Sequence, residues 1–141
     1  MNRGKSGILF SVSYHDEAEM EIFNKDNTRN TGSLEILKSY MLIGSRNVKD
    51  AGISIQISYI PVNSGQPIHS HEPEQCYYII SGNGLMSIDN DEEYVNAGDA
   101  VHIPSGKKHG IRNVGTDALQ YLTANSPAFS EEYESRLWPE K

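Results

Sequence analysis

The 141-residue chain has one cysteine, Cys76, and one tryptophan, Trp138. A single cysteine excludes an intramolecular disulfide, so the chain does not read as a secreted, cross-linked scaffold. Basic residues are also scarce. Twelve Lys and Arg stand against nineteen Asp and Glu, for a net charge of −7. Lys107 and Lys108 are the only paired lysines, too few for a phosphate-tracking stripe, which argues against a nucleic-acid partner. No stretch approaches the roughly 18 apolar residues of a membrane helix. The opening MNRGKSGILFSVSYHDE has too short an apolar run for a signal peptide. The expectation is one domain of a cytoplasmic protein with no membrane partner. Long amphipathic helices between strand-like runs are missing too, which excludes parallel βαβ units.

Short alternating runs broken by turns fill that space. In ISIQISYI, Ile53, Ile55, Ile57 and Tyr59 alternate with Ser54, Gln56 and Ser58, the period of a half-buried strand. QCYYIIS follows VNSGQP and stops at Gly82-Asn83-Gly84. LMSI, EYV, AVHI, HGIRNV and LQYLT continue, with turn residues every eight to twelve positions. That rhythm predicts an all-β sandwich or barrel. Residues 14–33 are polar and leave room for a short helix or an arm. In the tail SPAFSEEYESRLWPEK, Ser130 is placed to cap a short helix with Glu131 and Glu132 in its first turn. Tyr133 and Leu137, four apart, would dock on the barrel, as a packed turn rather than a substrate lid. The expected division is an N-terminal extension or strand arm over 1–37, a barrel over 38–126 and a packed tail over 127–141.

Four of the five histidines lie between residues 69 and 109. His69 and His71 are two apart on an extended segment, so both rings point to one face. Gln75 keeps the same parity across a short loop containing Pro73. Tyr77 and Ile79 share its direction, whereas Cys76, Tyr78 and Ile80 point the other way. Further on, Pro104 and Gly106 form a turn before a strand that starts at His109 and carries Ile111 and Asn113 on the same face. Three imidazoles and one oxygen donor converging in a small barrel would suit one divalent transition metal: Fe, Ni, Mn, Zn, Co or Cu.

These segments resemble the two sequence motifs of the cupin superfamily. The second motif, G-x5-P-x-G-x2-H-x3-N, is matched at every fixed position from Gly98 to Asn113. The first, G-x5-H-x-H-x3-4-E-x6-G, is matched at His69, His71 and Gly82. Two departures stand out. Gly65 precedes His69 by only four residues, and Gln75 occupies the place of the usual glutamate. Glu74 has the wrong parity for that role, and Cys76 sits one position too late. The resemblance implies a double-stranded β-helix, or jelly-roll barrel, with an N-terminal extension and a short C-terminal helical tail. It implies a metal on His69, His71, Gln75 and His109, and small pectin-degradation cupins of this kind use glutamine in such a set. It also implies a homodimer paired through N-terminal strands.

A glutamine ligand is neutral and does not titrate, so the centre would carry the full charge of its ion. That favours a Lewis-acid enzyme of isomerase or lyase type acting on a small polar or anionic molecule, such as a sugar acid. Two alternatives stand beside it: an Fe-, Ni- or Cu-dependent dioxygenase, and a non-catalytic ligand-binding or sensor module. Tyr77 is the candidate catalytic donor, with core packing as its other reading. Asn113 reads as structural, His102 as outside the metal set, His15 as solvated, and Cys76 as a small buried hydrophobe.

Overall fold

The computed structural model describes residues 19–31 and 36–139. The arm expected over 1–37 lies largely outside the described residues, as does His15. Within the described part, a single 3-10 turn at Lys25–Asn27 leads into ten strands and one helix. The strands are β1 (Arg29–Asn30), β2 (Lys38–Ile43), β3 (Ser54–Ile60), β4 (Gly65–His69), β5 (Glu74–Ser81), β6 (Asn83–Ile88), β7 (Asp91–Asn96), β8 (Ala100–Ile103), β9 (His109–Asn113) and β10 (Leu119–Ser126). Helix α1 spans Glu131–Leu137.

Two antiparallel sheets face each other. One has six strands in the order β1-β2-β3-β10-β5-β8, the other four in the order β4-β9-β6-β7. Consecutive strands repeatedly switch sheets, the jelly-roll pattern in which all strands run antiparallel to their neighbours. The turns sit where the composition placed them. Gly82, between β5 and β6, has φ +93°, and a Cβ there would stand 2.9 Å from the Ala118 carbonyl oxygen, so both backbone and space require glycine.

The interior is graded from one end to the other, and strand register sets the grading. Across β3, β10 and β5, Ser54, Asn125 and Gln75 lie side by side at one level. Gln56, Thr123 and Tyr77 form the next level, then Ser58, Tyr121 and Ile79. Ile60 and Leu119 lie deepest. All these side chains are buried, because successive residues of a strand alternate faces. The deep end closes on Ile60, Ile79, Met86, Val95, Ile103, Ile111 and Leu119. The other end stays polar.

The structure settles one sequence reading and changes another. In β3 the polar face turns inward: Ser54, Gln56 and Ser58 are buried, while Ile55, Ile57 and Tyr59 lie on the outer, half-buried face. Cys76 does point outward from β5, but it is exposed rather than buried, because that side of the sheet has no layer over it at this position.

Helix α1 is capped by Ser130, whose hydroxyl accepts from the Tyr133 N–H. Tyr133 packs on Phe129, whereas Leu137 is 44% exposed and only partly docked. The tail is held by the acid between them. Glu134 is 1% exposed and accepts from the Ser45 N–H at 2.7 Å and from Arg46 Nε at 3.3 Å. Arg46 also donates to Ser135 Oγ and to the Trp138 carbonyl, and Trp138 Nε1 donates to Ser39 Oγ. A buried carboxylate is tolerated only with such partners. Among the described residues, no helix is long and apolar enough to cross a membrane.

Candidate metal centre

His69 ends β4, His71 lies in the loop that follows, Gln75 is near the start of β5, and His109 opens β9. β4 and β9 pair with His69 opposite His109. The loop carrying His71 is tied to the turn before β9. The Gly106 N–H donates to the His71 carbonyl at 2.9 Å, and Ser105 Oγ donates to the Glu72 carbonyl. Gly106 has φ +79°, which glycine adopts without strain. These two contacts clamp the two halves of the motif together.

The three imidazoles converge. Their ring centroids are 4.3, 4.9 and 5.6 Å apart, and one ring nitrogen from each lies within 4.8 Å of the other two. Each Nδ1 faces a backbone carbonyl: His69 that of Pro67 at 2.9 Å, His71 that of Pro73 at 2.9 Å, and His109 that of Lys107 at 2.8 Å. A carbonyl can only accept, so each Nδ1 carries the proton. In the neutral ring that leaves Nε2 as a bare acceptor. Gln75 Oε1, another acceptor, stands 3.2 Å from His71 Nε2 and 3.1 Å from His109 Nε2. Gln66 Nε2 lies 3.5 Å from His69 Nε2.

Burial keeps two of the rings uncharged. His109 is held down to about 4, chiefly because burial disfavours the cation, with His69 and His71 adding to the effect. His69 is lowered for the same first reason. His69 and His109 therefore present Nε2 as an acceptor beside Gln75 Oε1. Two ligand atoms about 2.1 Å from a common ion stand about 3.0–3.4 Å apart at octahedral to tetrahedral angles. The 3.1 and 3.2 Å separations fall in that range. The donor set fits a divalent transition ion.

His69, His71 and Gln75 line a cavity of about 310 Å³ at this end of the barrel, with the fully buried His109 packed behind them. Tyr77 lies behind the histidines, 2% exposed, its ring stacked on Tyr121 at 4.8 Å and 15°. The Tyr121 hydroxyl donates to Gln66 Oε1 at 3.0 Å. The Tyr77 hydroxyl has no hydrogen-bond partner among the described residues. Burial pushes its pKa far upward, so it keeps its proton. Tyr133 is raised by burial as well. The tail forms one wall: Phe129 and Tyr133 lie 5.1 and 6.4 Å from the His71 ring.

Of the residues singled out in the sequence, His69, His71, Gln75, Tyr77 and His109 meet here. His102 does not; it lies outside the barrel against Glu74. Asn113 lies below the site, donating to the Ile60 and Asp117 carbonyls. Gln66, Tyr121, Tyr133 and Asn125 were not foreseen. Tyr121 and Asn125 share the inward parity of β10, the one signal available for them; Gln66 has the opposite parity to His69 and comes into reach through the register shift in β4.

Residues 56–125 match the family described as the cupin domain. The uncharacterized protein MJ1618 of Methanocaldococcus jannaschii is 38% identical over 80 residues, 56% of this chain and 64% of that one. The oxalate-binding protein of Thermotoga maritima is 34% identical over 64 residues, 45% of this chain and 53% of that one. The chain thus spans less than two thirds of the length of these relatives. A solved structure from Thermotoga maritima, described as a predicted oxalate decarboxylase, superposes with a TM-score of 0.66. It is 19% identical and covers 76% of this chain and 99% of its own, a likeness of fold.

Proposed function

The chain is a cupin-domain protein, and from that premise we propose that it holds one divalent transition metal on His69, His71, Gln75 and His109 and acts as an enzyme of isomerase or lyase type on a small anionic, sugar-acid-like molecule. The convergence of four acceptor atoms carries this reading. Three Nε2 lone pairs and one amide oxygen meet while every Nδ1 proton is already committed to a carbonyl. A cation among them would draw on all four lone pairs at once.

The charge balance supports an anionic substrate. No histidine or amide in the set carries a negative charge, so a bound dication keeps its full charge. Among the described residues, no Asp or Glu lines the cavity, in a chain that contains nineteen. Arg136 lines the mouth, 5.3 Å from the Tyr133 ring centroid. A relative named for binding oxalate is consistent with this preference.

A metal held there would supply a Lewis acid that polarises a substrate carbonyl or hydroxyl. The chain's own groups do the rest. Tyr77 presents a protonated, unpartnered hydroxyl to the cavity and is placed to donate to a substrate oxygen. Gln66, fixed by Tyr121, offers its amide N–H beside His69. Phe129 and Trp138 line the cavity's apolar side.

The test is a cobalt(II)-loaded protein challenged with small carboxylates, uronates and neutral sugars. Carboxylates and uronates should change the visible spectrum, neutral sugars should not, and turnover should proceed without dioxygen uptake. Silence toward every anion, or oxygen consumed in step with turnover, would refute the reading.

A further inference from the structure

We propose that Asn125 is a positioning residue: it decides which end of the Gln75 side chain faces the histidines, and so selects a neutral amide over a carboxylate there. The geometric part stands on hydrogen bonds alone; its consequence for the ion rests on the metal reading above.

The argument starts from an atom whose role is unambiguous. The Ser54 carbonyl can only accept. Asn125 Nδ2 lies 3.4 Å from it, 2.5 Å from Ser54 Oγ and 3.3 Å from Gln56 Oε1. Gln56 Oε1 is itself an acceptor, taking the Thr123 hydroxyl proton at 2.5 Å, while Gln56 Nε2 points to Met41 Sδ at 3.2 Å. Ser54 Oγ also accepts from the Phe129 N–H at 3.2 Å. Both amide protons of Asn125 are therefore drawn to the β3 side. Its Oδ1 is left facing β5, where Gln75 Nε2 donates to it at 2.5 Å. With its N–H end committed, Gln75 has only Oε1 to offer the histidines.

Ser54, Asn125 and Gln75 are in register across three adjacent strands. Ser54 and Asn125 are 0% and 1% exposed and lie behind the cavity wall that Gln56, Thr123 and Gln75 line, so the Asn125 donors are committed within the protein. A glutamate at position 75 would set a carboxylate oxygen against Asn125 Oδ1, acceptor against acceptor. Flipping Asn125 would relieve that contact only by turning Oδ1 onto the Ser54 carbonyl and Gln56 Oε1. The direction of the whole chain thus favours an amide.

A double-mutant cycle tests this, with cobalt(II) affinity as the readout. Asn125→Leu removes the acceptor that orients Gln75, and affinity should fall at least about tenfold. In the Gln75→Glu background the same change should cost less than about threefold, because either carboxylate oxygen serves. Asn125→Ala removes the same acceptor with less bulk and should show the same loss; slow exchange of the Gln75 side-chain amide protons in the wild type, read by NMR, covers the case in which neither variant folds. Equal losses in both backgrounds, or freely exchanging Gln75 side-chain amide protons in the wild type, would overturn the proposal. Should the wild-type protein bind no cobalt(II), the metal reading fails separately. The orientation is then judged in the metal-free protein by NMR. Slowly exchanging Gln75 side-chain amide protons that vanish in Asn125→Leu support it; free exchange in the wild type overturns it.

Discussion

Replacing Tyr77 with phenylalanine should stabilise the metal-free protein even as it removes the donor proposed to serve the substrate. The ring is 2% exposed and stacked on Tyr121, and phenylalanine keeps that packing. Only the hydroxyl is lost, and among the described residues nothing satisfies it. A buried hydroxyl without a partner costs about 1–3 kcal/mol. This one borders a cavity where water offsets part of the penalty, so the expected gain is about 1 kcal/mol. For a chain of this size that corresponds to a rise in Tm of about 3–5 °C. Tyr121 supplies the control. Its hydroxyl donates to Gln66 Oε1 at 3.0 Å, and Tyr121→Phe leaves that half-buried acceptor without its partner. That variant should lose about 1 kcal/mol. Two stacked tyrosines thus carry opposite signs. Calorimetric unfolding of both variants in the presence of a chelator measures the difference. A Tyr77→Phe protein less stable than wild type would mean that the hydroxyl is bonded in the fold, and the case for a free donor would collapse.

Three further outcomes follow from the same geometry. Chelation should lower Tm, and restoring an ion at about a hundred times its Kd should return about 2.7 kcal/mol, read by the same calorimetry. His109 titrates lower in the folded chain, at about 4, than in the unfolded chain, near its ordinary 6.5. Its contribution to metal-free stability is therefore whole above pH 6.5 and is lost as pH falls toward 4; imidazole NMR should find Nε2 still unprotonated at pH 5.5, and a protonated ring there would contradict the burial argument. Glu134→Ala strands Arg46, whose side chain is only 12% exposed, and should cost about 3–5 kcal/mol. Trp138 fluorescence should shift to the red as the tail leaves the barrel, and an unshifted spectrum would show that the tail is held by its apolar contacts alone.

Much of the fold was legible because the strands are short, alternating and punctuated by turn residues. The histidines were legible because register is a matter of parity: two residues apart on an extended chain share a face. Parity could not say which face is inside. On β3 it left open which alternating set faces inward; Ser54, Gln56 and Ser58 do, and Gln56 and Ser58 line the cavity. Cys76 failed for a related reason, since pointing away from the site says nothing about what covers the other side. Asn125 was invisible because its role depends on two strands distant in sequence meeting β10 at one level. Gln75 illustrates both limits. Its position followed from spacing, whereas the direction of its amide follows only from the buried chain behind it.

The central claim is that four acceptors at the barrel mouth hold one ion. Its most direct test is the metal content of protein purified without added metal, read together with anomalous scattering at His69, His71, Gln75 and His109. The prediction is about one divalent transition ion per chain, in contact with all four side chains and absent from His71→Ala. Metal at wild-type level in His71→Ala, or a wild-type protein that takes up no ion when offered each candidate metal in turn, would contradict it.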